Sequence, residues 1–361
     1  MSIKWSEHAC KYNLQNEWND TLKEAYLYDR LSTEHKVRCR LCPRNCVIQQ
    51  GEVGFCKVRK NINGTLYAQT YEKAAHVAIE KIETEAIFHY EPGADILSLG
   101  TIGCNLNCSY CQNWSLSQAE YANPNIISQR TSEQIVNMAL KNNIKILSWT
   151  YSEPAVWFEF VIDTARLARK HGLVSLFKSA YFLSEEATDM IIDAADLFAV
   201  SLKAMDNKYY QTHTQGWIAP VLNCTKKIHR SGKPLEIENL IVTGLTDKDS
   251  EYIKIIDFVK KELDESVPLH FSSFHPDYKY VHLPQADSSH LERARAMALE
   301  RGLQYVYVGN VFENVGLHSY CSQCGTMLVE RFGLNSRVLE TLDRSGRCVK
   351  CGKNNNIKLK P

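Results

Sequence analysis

The stretch "GTIGCNLNCSYCQNW", Gly100 to Trp114, spaces Cys104, Cys108 and Cys111 as C-x3-C-x2-C. Thiolates so placed are metal ligands, and three of them leave a four-coordinate site one ligand short. Two chemistries fit. A zinc ion completes its shell with a distant histidine, or an iron-sulfur cluster keeps one iron free of protein ligands, where a small molecule binds and is activated.

Two further groups bring eleven of the 13 cysteines to metal-ligand spacings. Near the C-terminus, Cys321-x2-Cys324, a 23-residue spacer and Cys348-x2-Cys351, with a glycine after each pair, read as two knuckles closing a four-thiolate site. Zinc is the expected ion and rubredoxin-like iron its rival. A segment this short builds too small a core to hold without a staple, so the role is structural, with a docking surface as a second use. Near the N-terminus, Cys39, Cys42, Cys46 and Cys56 lie in a looser Gly- and Pro-punctuated loop. Structural zinc is the preferred reading there and an auxiliary iron-sulfur cluster the alternative; the spacing does not separate them. Cys10 and Cys224 stand apart and read as ordinary thiols.

The 361-residue chain, 44% hydrophobic, can bury one barrel-sized core with small appendages. A net charge of +1 provides no global attraction to nucleic acid, which is not the expected partner. No basic, apolar leader opens the sequence and no apolar run reaches membrane-spanning length, so the chain is read as soluble and cytoplasmic. That compartment argues against a disulfide scaffold and for metal binding.

Seven apolar runs provide the elements that must position these groups: "ADILSLGT", "NIKILSWTY", "LVSLFKSA", "DLFAVSLK", "PLEIENLIV", "PLHFSSF" and "LQYVYVG". Several are apolar on both faces, as parallel strands under helices are. Helical patterns fill the intervals, with a capping box at Thr131 and Gln134 and closing glycines at Gly172 and Gly232. The alternation predicts an α/β fold, a parallel barrel or partial barrel whose ligands gather at the C-terminal ends of the strands. The three-cysteine loop follows directly from the first strand.

Motif, position and architecture together resemble the radical S-adenosylmethionine (SAM) superfamily. Within it the chain looks closest to the radical SAM protein of the AmmeMemoRadiSam system, akin to pyruvate formate-lyase activating enzymes. The similar stretches are "CRLCPRNCVIQQGEVGFCKVR", "GCNLNCSYCQNWSLSQ", "TYSEPAVWFEFVIDTARLA", "VTGLTD", "SSFHPDYK", "YVYVGNV" and the closing cysteine pairs. The resemblance implies a partial (β/α)6-type TIM barrel over residues 94–310, an N-terminal Cys-rich extension over 1–93 and a zinc-ribbon-like segment over 311–361. It also implies a 4Fe-4S cluster on Cys104, Cys108 and Cys111, whose open iron takes the amino and carboxylate groups of SAM.

Further roles follow from the resemblance where residues match. Glu153 is similar to the acid that meets the SAM ammonium, although an acid before Pro154 also suits a helix start. Lys203 resembles the lysine directed at the SAM carboxylate, and Tyr110, before the third cysteine, an adenine contact. The family's Asn-Gly after the third strand is Ala180-Tyr181 here, and its Asp-Leu-Lys on the fourth is Ser201-Leu202-Lys203. Lys178, Ser179, Ser201 and Glu238 provide other polar groups, which implies a divergent substrate pocket, with Ser179 and Ser201 counted among the SAM-binding residues. His270 and His275 flank the end of the sixth strand as substrate-facing candidates. The implied activity is reductive cleavage of SAM to a 5′-deoxyadenosyl radical that abstracts hydrogen from a substrate. The implied partners are an electron donor such as flavodoxin or ferredoxin, and a protein substrate or a Memo- or AMMECR1-type protein. An aminocarboxypropyl transfer from SAM and a non-catalytic zinc scaffold are the competing readings.

Overall fold

The fold is known from a computed structural model, which describes residues 22–32 and 35–360; Cys10 lies outside them. An eight-stranded sheet is its centre: β1 (His76–Lys81), β2 (Asp95–Gly100), β3 (Ile146–Trp149), β4 (Val174–Ser179), β5 (Leu197–Ser201), β6 (Leu235–Ile241), β7 (Leu269–Ser273) and β8 (Val306–Gly309). Each strand pairs with its neighbours in chain order, so β1 and β8 are the two edges of an open sheet. The seven apolar runs are the parallel strands β2 to β8. β1 is antiparallel to β2, pairing His76 with Gly100 and Lys81 with Asp95.

Six helices link the parallel strands in turn: α1 (Ser132–Lys141), α2 (Phe158–Lys170), α3 (Glu185–Ala194), α4 (Ile218–Arg230), α5 (Asp249–Glu262) and α6 (Ser288–Glu300). Local sequence accounts for their ends. Thr131 accepts from the Gln134 amide while the Gln134 side chain accepts from Thr131, closing the reciprocal box that satisfies two otherwise orphaned N–H groups. Ser184 caps α3 by the same hydroxyl-to-amide bond. Gly172 and Gly232 stand just past α2 and α4. Cys224 is buried on α4, its Sγ 2.8 Å from Thr188 Oγ1, as an ordinary packed thiol is.

The inner face changes character along the strands. Ile96, Ile146, Leu176 and Leu197 are fully buried in one cluster near the strand starts. Burial of such side chains contributes roughly 1.5–3 kcal/mol each. Because side chains on one face recur every second residue, the positions two and four further on share that face. They carry Ser148 and Thr150, Lys178, Ser201, Glu238 and, across from Leu240, Ser272. The sheet is thus plugged at its base and polar at its C-terminal mouth.

Two smaller regions flank the sheet. Residues before β1 form two three-stranded antiparallel sheets, one of Tyr28–Arg30, Val37–Cys39 and Val47–Ile48, the other of Lys23–Glu24, Thr65–Ala68 and Arg59–Ile62. After β8 a third such sheet joins Ser319–Tyr320, Met327–Phe332 and Asn335–Val338. Its buried Arg331 donates to the Phe88 carbonyl at 2.9 Å and stacks 4.0 Å from the Phe88 ring, which ties this region to the loop after β1. Among the described residues no helix is long and apolar enough to cross a membrane.

Candidate active site

A cavity of about 280 Å³ opens at the C-terminal ends of the strands. Cys104, Cys108 and Cys111 line it from the loop after β2. That loop is held from beneath: the Asn107 amide donates to Thr214 O at 2.8 Å and the Ser109 amide to His213 O at 2.9 Å. Burial pushes the Cys104 thiol well up and Cys108 up to about 12, with Lys203 opposing the rise at Cys108. Burial also raises Cys111, against the hydroxyl of Ser117 at 3.2 Å. Three part-buried thiols crowded together are disfavoured as anions until a cation stands beside them. A metal centre supplies that charge and displaces the protons, so the donor set fits an iron-sulfur cluster held by three thiolates.

Glu153 is buried and lines the same cavity. Its Oε1 accepts from Ser179 Oγ at 2.6 Å and from the Ala155 amide at 3.1 Å; its Oε2 accepts from the Ala180 amide at 3.1 Å. It both faces the cavity and caps the short helical turn Pro154–Trp157. Burial raises its pKa, against these hydrogen bonds and the charge of Lys203. Ser179 is fixed in turn, since its hydroxyl also accepts from the Tyr181 amide at 2.8 Å. Tyr181, at the divergent position, points away from the mouth and donates to Phe177 O. Lys203 follows β5 and lines the cavity; Tyr110 lines it too, with its ring against Tyr209 and Tyr280.

Deeper in the mouth is a second charged group. Lys178 Nζ lies 3.1 Å from Glu238 Oε2 and 3.9 Å from Glu85 Oε2. Burial alone would raise Glu238, but Lys178 and Lys203 outweigh it and hold the carboxyl at about 2. Ser201 and Ser272 donate to the same carboxylate at 3.1 and 3.0 Å. Glu85, by contrast, is raised by burial despite Lys178 and hydrogen bonds from Ser148 at 2.8 Å and Thr150 at 2.9 Å. One carboxyl is held ionised beside another held towards its protonated form, a pairing that lets a pocket present both an acceptor and a donor.

All four divergent polar residues, Lys178, Ser179, Ser201 and Glu238, therefore line one cavity with the three cysteines. The histidines do not. His270 is buried 2.7 Å from Glu236 Oε2 in a network with Phe88 and Tyr307, and lines a neighbouring cavity of about 640 Å³ that shares Thr84, Glu238 and Asn310 with the first. His275 is exposed and outside both linings. Sequence reading missed Glu85, Thr84, Thr150 and Asn310. Glu85 left one signal, three acids inside the run "AIEKIETEAIF", of which Glu83 and Glu85 are buried.

The C-terminal quartet is compact. The ligand atoms of Cys321, Cys324, Cys348 and Cys351 lie within 4.8 Å of one another, with Cys321 to Cys351 at 3.5 Å and Cys324 to Cys348 at 3.6 Å. A Zn–S bond of about 2.3 Å puts sulfurs about 3.8 Å apart in a tetrahedron, so the set fits a single ion. Gly325 and Gly352 turn each knuckle at φ of 68° and 77°, which only glycine adopts freely, and their amides donate to Cys321 O and Cys348 O.

An open sheet of six βα units with three thiols, an acid and a lysine at its strand ends brings the donor set of a metal centre together with charged groups suited to a small charged ligand. The chain belongs to the radical SAM superfamily, whose sequence model matches residues 98–259. An uncharacterized protein of Methanocaldococcus jannaschii is 39% identical over 341 residues, covering 94% of this chain and 100% of that protein. A pyruvate formate-lyase-activating enzyme of Streptococcus mutans is 22% identical over 172 residues, 44% of this chain and 63% of that enzyme. Among solved structures, Streptococcus suis SuiB bound to S-adenosylmethionine matches at 13% identity with a TM-score of 0.48, over 63% of this chain and 53% of that one.

Proposed function

We propose that the chain is a radical SAM enzyme whose cluster sits on Cys104, Cys108 and Cys111. The observation that carries this is one cavity lined by those thiols, Glu153, Lys203 and the Lys178–Glu238 pair at the strand ends. When bound, a 4Fe-4S cluster supplies one electron and an open iron for reductive cleavage of SAM to methionine and a 5′-deoxyadenosyl radical, which takes hydrogen from the substrate. The protein's own groups do the rest. Glu153 receives the SAM ammonium in a charge-assisted hydrogen bond, with Ser179 keeping its carboxylate in place. Lys203 meets the SAM carboxylate and Tyr110 the adenine, with Ser201 completing that wall. Lys178, Glu238 and Glu85 face the substrate, and the closed apolar base of the sheet keeps bulk water from the reacting atoms.

The finer reading is an AmmeMemoRadiSam-type enzyme related to activating enzymes. A flavodoxin- or ferredoxin-class donor delivers the electron, and the substrate is a protein or a compound handled with Memo- and AMMECR1-type proteins. The C-terminal quartet holds structural zinc. The matched activating enzyme supports the kinship of reaction class.

The test is anaerobic reconstitution with iron and sulfide, reduction by dithionite with SAM, and chromatography of the products. The expected product is 5′-deoxyadenosine, lost entirely in Cys108→Ala while the circular dichroism spectrum stays as in the parent. Methylthioadenosine would move the reaction to aminocarboxypropyl transfer, and intact SAM would leave a metal-bound scaffold.

A further inference from the structure

We propose that Cys39, Cys42, Cys46 and Cys56 form a second iron-sulfur site, built for a cluster with its own inorganic sulfide and not for a single zinc ion. All four cysteines border one small enclosed void, closed by Ile48 and Arg59. Three sulfurs already receive amide hydrogen bonds from two residues on: Leu41 to Cys39, Arg44 to Cys42 and Val58 to Cys56. Amides aimed at sulfur are how a protein supports and tunes bound thiolates.

Spacing separates the two kinds of occupant. One tetrahedral ion draws its thiolates to about 3.8 Å from each other, whereas in a cluster each thiolate binds a different iron and the four stand further apart. Among the described residues it is the C-terminal quartet whose ligand atoms gather within 4.8 Å, whereas the N-terminal four line a void between them.

A second, independent feature points into the same void. Arg59 is 1% exposed, and its Nη2 bonds both Glu159 oxygens at 2.5 and 2.6 Å. Its Nε and Nη1 are buried without a hydrogen-bond partner. An orphaned guanidinium edge is costly unless an acceptor meets it. Sulfur of an anionic cluster in the void is such an acceptor. Arg44 adds a second cation at the rim, stacked 3.5 Å from the Phe55 ring, with Nε donating to Asn105 O at 2.8 Å.

That last bond, and the approach of Gly103 to the Cys56 carbonyl, join this loop directly to the one carrying Cys104. A Cβ on Gly103 would lie 2.9 Å from Cys56 O. The second site is therefore built against the first.

The experiment uses the full chain, purified anaerobically and reconstituted with iron and sulfide, beside the triple variant Cys104→Ala/Cys108→Ala/Cys111→Ala. Iron, sulfide and zinc are counted per chain and the iron is typed by Mössbauer spectroscopy. The expected result is that the triple variant keeps about four irons matched by sulfide, with one zinc, while the parent holds about eight irons. No sulfide-matched iron in the triple variant, with two zincs per chain, would overturn the proposal and leave the SAM-cleaving reading intact. Retained cluster in the triple variant with no SAM cleavage by the parent would do the reverse. The metal count of the parent decides independently if the variant misfolds, because about four irons with two zincs in it would also overturn the second site.

Discussion

Two loops in this chain each offer four thiols, one ahead of the sheet and one behind it, and they differ in how the backbone presents them. The C-terminal set comes from two short knuckles, each turned by a glycine, so pairs of sulfurs are delivered to nearly one point. The N-terminal set comes from one continuous segment, the strands Val37–Cys39 and Val47–Ile48 with the turns around them, and lines a void with a buried arginine on its wall. The first set is anchored mostly to its own small cluster of Leu328, Val329, Leu342 and Ile357. The second is packed into the main core, where Cys39 and Cys42 are buried in the same cluster as residues of the central sheet and its helices. On the proposals above, equal ligand chemistry serves different ends: a staple for a region too small to hold itself, and a cofactor cradle packed into the main body.

The largest expected effect falls on the staple. In Cys348→Ala the C-terminal ion loses a ligand, and binding of structural zinc is worth on the order of 10 kcal/mol in small domains. Zinc content should fall by one per chain and limited proteolysis should cut beyond residue 311, with sulfide-matched iron unchanged. Normal zinc and unaltered proteolysis would remove the contrast between staple and cradle.

Next comes Arg59→Met. The side chain shape is roughly kept, but Glu159 is left buried with the Tyr26 amide at 2.9 Å as its remaining donor. An uncompensated buried charge costs about 3–5 kcal/mol. The anaerobic Tm should drop, and iron should be lost in preference to zinc. The double variant Arg59→Met/Glu159→Leu should recover most of the Tm without the iron, because the charge is gone but the acceptor-facing edge is not restored. A loss below about 1 kcal/mol with full iron would show the pair to be incidental.

Gly103→Ala probes the seam between the two iron sites. Here the new Cβ meets backbone and a β-branched side chain, Cys56 O at 2.9 Å and Val58 Cγ1 at 2.9 Å, and φ is 91°. Neither neighbour can swing aside, so overpacking and strain together cost about 1–3 kcal/mol. Iron occupancy at both sites should fall together, read as total sulfide-matched iron in the parent and in the triple cysteine variant background. Unchanged iron would mean that the loops touch without depending on each other.

What the sequence made legible follows physical locality. Strands β2 to β8 announced themselves as short apolar runs, several of them apolar on both faces, as β3 is, buried at all four residues. β1 did not, since its six residues are half-buried on a sheet edge and carry a mixed pattern. The three-cysteine loop and Glu153 were readable because ligand and acid lie a few residues past a strand. Glu85 was not, because its place in the cavity depends on Ser148, Thr150 and Lys178, far along the chain. His270 shows the converse: it is the second residue of β7, where it pairs with Glu236 on the neighbouring β6 and lines the adjoining cavity. Cysteine spacing counts residues, not ångströms, so it could not tell a quartet that converges from one that encircles.

The finest test of that last distinction is Gly325→Ala. At this position φ is 68° and nothing lies within 4 Å of the added Cβ, so no clash accompanies the substitution. The whole effect is the preference of an L-residue against the left-handed region, about 1 kcal/mol. That penalty opposes the bond from the Gly325 amide to Cys321 O at 2.9 Å, and with it the turn that swings Cys324 towards its partners. In a site that converges on one ion, every knuckle must close for the last ligand to reach, so the penalty passes into metal affinity at about fivefold per kcal/mol. Competition with a chelator should show zinc affinity weakened by roughly that factor, with Tm of the main body and iron unchanged. An affinity equal to the parent's would mean that the knuckle turns are not what brings the four sulfurs together.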